Sequence, residues 1–323
     1  MKATKILEDF NRTLAGMSYP SEPEGLYEPI AYVLKMGGKR LRPVFMLLTY
    51  SVFQEDYMDI MPAAIGLETY HNYTLLHDDL MDNADIRRGM ATVHRRWDAN
   101  TAILSGDEML VLACREILGT KNEHTWRAME VFLKTAIEVG EGQQMDMNFE
   151  KRTDVTEEEY VEMIRLKTSV LVACAVKMGA ILGGADEESC KRLAQFGESV
   201  GLAFQLQDDL LDAYGTTEVF GKRKGGDILQ NKKTWLLINA FERADECNRK
   251  ELNRWLSAKD ADPDEKVGAV IEIYDKLGVA EACNERIDHY FNQAQWQLNE
   301  VGLPREGREE LWAFAESLCG RES

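Results

Sequence analysis

One six-residue word occurs twice in this chain, as His-Asp-Asp-Leu-Met-Asp at 77–82 and as Gln-Asp-Asp-Leu-Leu-Asp at 207–212. Each copy has an apolar approach: Tyr73, Thr74, Leu75 and Leu76 precede the first, and Leu202, Ala203, Phe204, Gln205 and Leu206 precede the second. On a helix, positions i and i+4 share a face, so Asp78 projects beside Asp82 and Asp208 beside Asp212. Carboxylates at that spacing repel, and taking them out of water is costly unless a cation compensates. A fold that carries both words therefore needs helices, and needs positive charge delivered to them.

The rest of the chain agrees about the helices. Periodicity of the kind seen at Val131, Phe132, Thr135, Ala136 and Val139 recurs from end to end, while sustained period-two alternation is scarce. Helix-forming residues abound and there are only 7 prolines, so the fold class is expected to be all-α. Breaks fall at Pro20–Gly25, Gly37–Gly38, Arg87–Gly89, Lys151–Thr156 and Gly215–Gly226, among others, and Thr156 with Glu159 has the form of a capping box. None of the breaks is a long Pro/Gly/Ser linker, so residues 1–323 read as a single domain.

Composition excludes several functions. With 38 basic against 56 acidic residues the net charge is −18, which repels nucleic acid and anionic membranes over most of the surface. The six cysteines are scattered with no CxxC pair, so neither a zinc site nor a disulfide framework is expected. Glu8 and Asp9 fall where a signal peptide needs an apolar run, and no stretch offers the 18 uncharged apolar residues of a membrane span. The expectation is a soluble, cytoplasmic protein with no integral membrane segment.

An acidic triplet on a helix is often only a solvated face, but two copies in apolar surroundings argue for bound metal. Hard carboxylate oxygens without nearby Cys or paired His suit Mg²⁺, which bridges one or two carboxylates to substrate phosphates. Neither copy has the loop spacing or glycine of an EF-hand. Cations for an anionic substrate are available in Gly37-Gly38-Lys39-Arg40-Leu41-Arg42-Pro43, a turn leading into a helix, and in Arg87-Arg88-Gly89 after the first word. Lys167-Thr168 interrupts an apolar stretch, and Lys222, Asp227 and Lys232 follow the second word.

Taken together these residues resemble the trans (E-type) isoprenyl diphosphate synthases, or polyprenyl synthetases. The matching blocks are GGKRLRP at 37–43, HNYTLLHDDLMDNADIRRG at 71–89, LSGDEML at 104–110, EGQQMD at 141–146, LKTS at 166–169, GLAFQLQDDLLDAYG at 201–215 and GKRKGGDILQNKKTW at 221–235, in that order. In the last, RKGGD stands where Gly-Thr-Asp or Gly-Ser-Asp is frequent. The resemblance implies one large helical bundle around a central cavity, a homodimer, and condensation of isopentenyl diphosphate with an allylic diphosphate (dimethylallyl, geranyl or farnesyl) to give farnesyl or geranylgeranyl diphosphate.

It also implies the roles. Lys39, Arg42, His71 and Arg88 would hold isopentenyl diphosphate without metal. The allylic diphosphate would sit between the acidic clusters on three Mg²⁺ ions, with Asp78, Asp82 and Asp208 as ligands, Asp212 as a further one, and Asp79 and Asp209 within the metal-binding motifs. Arg87, Lys167, Lys222 and Lys232 would contact that diphosphate, and Thr168 and Gln205 would turn oxygen toward the developing cation. Stabilising the leaving diphosphate is work for metal and cations, and an apolar pocket must keep water from the carbocation. The departed diphosphate would take the final proton, so no protein base is assigned.

Two other readings have discriminating features. A terpene cyclase shares the fold and first motif, but would leave Lys39, Arg42 and His71 without a second diphosphate to bind. An inactive regulatory subunit would be expected to have lost motif Asp or Arg residues, and all are present.

Product length is expected to depend on Tyr73, five residues before Asp78 and hence about 7.5 Å along a helix. An aromatic there would form a floor. Tyr73→Ala should therefore shift products toward longer chains in chromatographic analysis; an unchanged product profile would remove Tyr73 as the stop.

Overall fold

A computed structural model describes residues 2–215, 224–258 and 261–318 of the chain. The first helices are α1 (Lys2–Ala15), α2 (Glu24–Lys35), α3 (Leu41–Phe53) and, after a single 3-10 turn, α4 (Met61–Met81). A hairpin of β1 (Ile86–Arg87) and β2 (Met90–Ala91) leads to α5 (Val93–Arg96), α6 (Ala99–Leu118) and α7 (Thr125–Phe149). Next come α8 (Glu157–Ile164), a π turn (Arg165–Ser169), α9 (Val170–Leu182) and α10 (Glu187–Tyr214). The remainder is α11 (Gly226–Gln230), α12 (Trp235–Arg243), α13 (Glu246–Ser257), α14 (Pro263–Lys276), α15 (Val279–Glu300) and α16 (Arg305–Leu318). The all-α expectation holds, and the Thr156 capping box forms, with Thr156 and Glu159 each satisfying the other's backbone N–H.

One segment does more than interrupt helices. The expected break at Arg87–Gly89 is the turn of an antiparallel hairpin in which Ile86 pairs with Ala91 and Arg87 with Met90. Arg88 and Gly89 both take positive φ, 51° and 75°, the handedness that matches the twist of a tight two-residue hairpin turn.

The chain falls into two compact units. The first comprises Met1–Leu133, Cys174–Ala194 and Val301–Phe314. Its axis is α4, which buries Ile65, Leu67, Glu68, Thr69, Tyr70 and Asn72 and so presents almost no solvent face over two turns. Such a helix needs close partners, and glycine supplies the closeness: a Cβ on Gly66 of α4 would lie 2.7 Å from the Ala113 carbonyl oxygen and Ile117 Cγ1 of α6. Reciprocally, a Cβ on Gly106 of α6 would overlap the His77 ring of α4. The two contacts fix α4 and α6 as antiparallel. Asp98 starts α6, its side chain accepting from Thr101 N at 2.9 Å.

The second unit comprises Lys134–Ala173, Gln195–Glu300 and Ala315–Ser323. Its core gathers Tyr160 and Met163 of α8, Leu206 and Leu210 of α10, Trp235 and Leu236 of α12, Val270 and Tyr274 of α14, and Ile287 of α15. Gly201 of α10 lies against Ser169 of the π turn, where a Cβ would come within 2.6 Å of its Cα. Among the described residues no helix is long and apolar enough to cross a membrane.

Candidate active site

In the first unit, the first Asp-Asp-x-x-Asp word occupies the C-terminal end of α4. Asp82 N still bonds to Asp78 O at 2.8 Å, and the chain then leaves the helix through Asn83 at φ 53°. The C-terminus of a helix carries partial negative charge, so three carboxylates there compound the repulsion and favour a cation. They are not equivalent. Asp79, only 5% exposed, turns inward, and Arg87 Nε donates to both its oxygens at 2.8 and 2.7 Å. Asp78 is half-buried, 3.7 Å from Arg87 Nη2, and Asp82 is exposed. Burial pushes the Asp79 carboxyl up despite the guanidinium beside it.

The expected cation cluster lies in the same unit, with one reassignment. Arg40 is buried at the start of α3, donating to Glu68 Oε1 at 2.6 Å and to the Leu34 carbonyl at 2.8 Å, so it is a structural residue. Arg42 Nη1 reaches His71 Nε2 at 3.1 Å, and since the guanidinium can only donate, His71 accepts there and carries its proton on Nδ1. Arg88 Nη1 donates to the Gly37 carbonyl, and its guanidinium lies so close to Gly38 that a Cβ there would be 2.7 Å from Cζ. Lys39 is exposed on the same turn.

This cluster holds more positive than negative charge. Burial, opposed by Glu68 and reinforced by Arg88, draws Arg42 down to about 10. Burial and then the Arg42, Arg88, Arg87 and Arg40 charges hold His71 well below its ordinary value, as a neutral imidazole. Arg42 Nε is buried without a hydrogen-bond partner. Cations that raise one another's energy around an unsatisfied donor are arranged for an anion.

Tyr73 stands on α4 with its ring edge-on to His77 at 4.8 Å and 5.5 Å from Tyr70. Burial, with Asp107 of α6 nearby, raises its phenol.

In the second unit the repeated word again lies near the C-terminal end of a helix, α10, and its middle carboxylate again turns inward. Asp209, 4% exposed, accepts from Tyr160 Oη at 2.5 Å, Gln205 Nε2 at 3.2 Å and Trp235 N at 3.4 Å. Burial first, and then the Asp227 carboxylate, push its pKa up to about 8. With Gln205 Nε2 committed to Asp209, its Oε1 is left to accept from Thr168 Oγ1 at 3.1 Å. Asp212 caps α11, its Oδ2 accepting from Asp227 N at 3.0 Å, while Asp208 is half-buried. Asp79 and Asp209, expected among the metal ligands, are thus committed to protein partners.

Lys167 and Thr168 lie in the π turn, where Val170 N bonds back to Arg165 O. Such an extra-residue turn marks functional positions in many helices. Lys167 Nζ donates to Asp146 Oδ2 at 2.6 Å, and the turn's backbone abuts Gly142, where a Cβ would lie 2.8 Å from Lys167 Cα. Lys232 is half-buried at the end of the α11 segment; Lys222 lies outside the described residues. Glu68, Asp146 and Tyr160 had no assigned role in the sequence reading, although a lone glutamate in the apolar run of α4 and the Asp of EGQQMD were visible signals.

Among the described residues no three His, Cys, Asp or Glu side chains converge tightly enough to enclose a metal ion alone. The donors at both helix ends are hard carboxylate oxygens, which fit Mg²⁺ completed by phosphate oxygens and water.

Comparison with known proteins identifies the family. The polyprenyl synthetase family model matches residues 23–274. The geranylgeranyl pyrophosphate synthase of Geoglobus acetivorans is 40% identical over 97% of this chain and 96% of its own. The geranylfarnesyl diphosphate synthase of Natronomonas pharaonis is 41% identical over 68% of this chain and 70% of its own. A crystal structure of a geranylgeranyl pyrophosphate synthase superposes with a TM-score of 0.92 at 43% identity, covering 99% of this chain and 98% of that one.

The His71 assignment has a pH signature. The unfolded chain binds a proton at His71 below about pH 6.5 and the folded chain does not, so stability falls as pH is lowered through that window. Denaturation midpoints followed from about pH 8 to about pH 5 should drop more steeply for the wild type than for His71→Gln. Parallel curves would mean that His71 is not held neutral.

Proposed function

The chain belongs to the polyprenyl synthetase family, and from that premise we propose that it is a short-chain trans-isoprenyl diphosphate synthase, joining isopentenyl diphosphate to an allylic diphosphate with release of diphosphate. The observation that carries the reading is the pairing of two charge arrangements in one chain. Carboxylate clusters lie at the ends of α4 and α10, and a cation cluster with an unsatisfied buried donor lies at the start of α3. A cyclase of one prenyl diphosphate has no use for the second arrangement.

Arg42, Arg88 and Lys39 bind the diphosphate of isopentenyl diphosphate directly. Neutral His71 orients Arg42 without adding charge to its surroundings. Asp78, Asp82 and Asp208, with Asp212, would hold Mg²⁺, which when bound would neutralise charge on the leaving diphosphate. Arg87, Lys167, Lys222 and Lys232 supply the remaining positive charge around that group. Asp79 and Asp209 are anchors. Asp79 fixes Arg87, and Asp209 fixes the Gln205 amide so that Oε1, with Thr168 Oγ1, presents lone pairs to an electron-poor carbon. Placing the isopentenyl double bond against the allylic carbon makes the encounter intramolecular, a gain of several kcal/mol. Tyr73, buttressed by His77, closes the tail pocket at the length of farnesyl or geranylgeranyl diphosphate.

We further propose that the enzyme is cytoplasmic and works as a homodimer of single-domain subunits. On α6, Leu104, Val111 and Leu118 recur every seventh residue and are 61%, 61% and 46% exposed, with Ile103 of the same helix and Trp126 of α7 also exposed. A stripe of that spacing suits a second copy of the same helix.

Purified protein with isopentenyl diphosphate and C5, C10 or C15 allylic starters should release diphosphate and lengthen the prenyl chain in Mg²⁺, and EDTA should abolish this. Asp78→Asn and Asp208→Asn should each lower kcat by on the order of 100-fold or more. The double variant should lose much less than the product of the two, because groups on one leaving group act as a unit. Turnover indifferent to chelator would end the proposal. For the assembly, Leu104→Asp with Val111→Asp should halve the mass measured by light scattering; a wild type already monomeric at assay concentration would count against the dimer.

A further inference from the structure

The hairpin that carries Arg87 and Arg88 cannot hold its own register. Two residues per strand give too few ladder bonds, and isolated hairpins are marginal even when longer. Arg88 must nevertheless be placed to within a fraction of an ångström to bind an anion. Three side-chain contacts steady the loop. Arg87 is gripped by Asp79, and Thr92, fully buried at the hairpin base, donates from Oγ1 to the Ala84 carbonyl at 2.7 Å. The third comes from α2, where the Tyr32 phenol donates to the Ala91 carbonyl at 2.8 Å.

Tyr32 is itself held. Trp97 meets its ring edge-on at 5.2 Å, and the Arg96 guanidinium lies 4.4 Å from the Tyr32 ring centre and 4.6 Å from that of Trp97. Arg96 also lies 3.7 Å from Glu28, one turn before Tyr32 on α2. The far side of the hairpin closes on the same stretch of chain, since Arg88 donates to Gly37, five residues after Tyr32. One segment, residues 32–37, thus holds β2 with a phenol and the turn with a carbonyl. Arg87 has a two-oxygen partner on α4, so loosening the phenol falls mainly on Arg88.

We infer that Tyr32, packed by Arg96 and Trp97, is a positioning residue that sets Arg88 for isopentenyl diphosphate, an inference that rests on the function proposed above. It touches neither substrate; it acts through the register of β2.

The test is steady-state kinetics on the full chain. Tyr32→Phe keeps the aromatic packing and removes one hydrogen bond, so KM for isopentenyl diphosphate should rise about 3- to 10-fold. KM for the allylic substrate, and kcat at saturating isopentenyl diphosphate, should change less than about twofold. Arg96→Gln, which leaves the phenol but strips the cation from its ring, should shift the same KM in the same direction by less. In an Arg88→Ala background Tyr32→Phe should add nothing, because the group it positions is gone. An unchanged isopentenyl KM in Tyr32→Phe, or a further equal loss in the Arg88→Ala background, would overturn the inference. A wild type that condenses nothing would instead overturn the proposed function.

Discussion

The structure depends on carboxylates stationed where a helix is already negative. Asp78, Asp79 and Asp82 close α4, and Asp208, Asp209 and Asp212 fall in the last two turns of α10. Backbone carbonyls at a helix C-terminus point toward the same space as these side chains, so the local potential is set by main chain and side chain together. No apolar packing relieves that potential; it is relieved by cations. At the end of α4 the chain supplies one of these itself, the Arg87 guanidinium that grips Asp79 and lies 3.7 Å from Asp78. The opposite sign is concentrated at the head of α3, where Arg42 and Arg88 oppose one another's charge and hold His71 neutral.

Within each motif the labour is divided by helical angle. The first and last aspartates share one face, and the middle one sits about 100° around the axis. That places Asp79 on the buried side with Asn72 and Leu76, and Asp209 with Leu202 and Leu206. Each middle carboxylate becomes the hub of a protein network: Asp79 holds Arg87, and Asp209 holds Gln205, which in turn accepts from Thr168. In a motif of three acids, the middle one is thus the foundation.

Much of this was legible in the residues. The helices follow from periodicity, the motif positions from their spacing, and the burial of Asp79 could be read from Asn72 and Leu76, which precede it at helical intervals. Other features leave no local trace. Of the three cations in Lys39-Arg40-Leu41-Arg42, only the fold reveals that Arg40 is spent on Glu68, 28 residues away. The hairpin at 86–91 is too short for alternation to register, and Tyr32 finds Ala91 across 59 residues of sequence. The π turn is invisible because Arg-Leu-Lys-Thr-Ser has no composition that distinguishes it from ordinary helix. Lys167 stands out in the sequence as a charge in an apolar stretch, whereas Asp146, the carboxylate that holds it, lies 21 residues away.

That turn has a bearing on how the chain can change over time. Between Arg165 and Ser169 the helix contains one residue more than an α-helical path of the same length would need. Removing one of the five would return the stretch to a plain α-helical path and leave the helix that follows facing as before. The loss would fall on the turn itself, where Lys167 and Thr168 take their bearings relative to Asp146 and Gln205. A deletion that would turn half of an ordinary helix away from its neighbours is absorbed here within five residues.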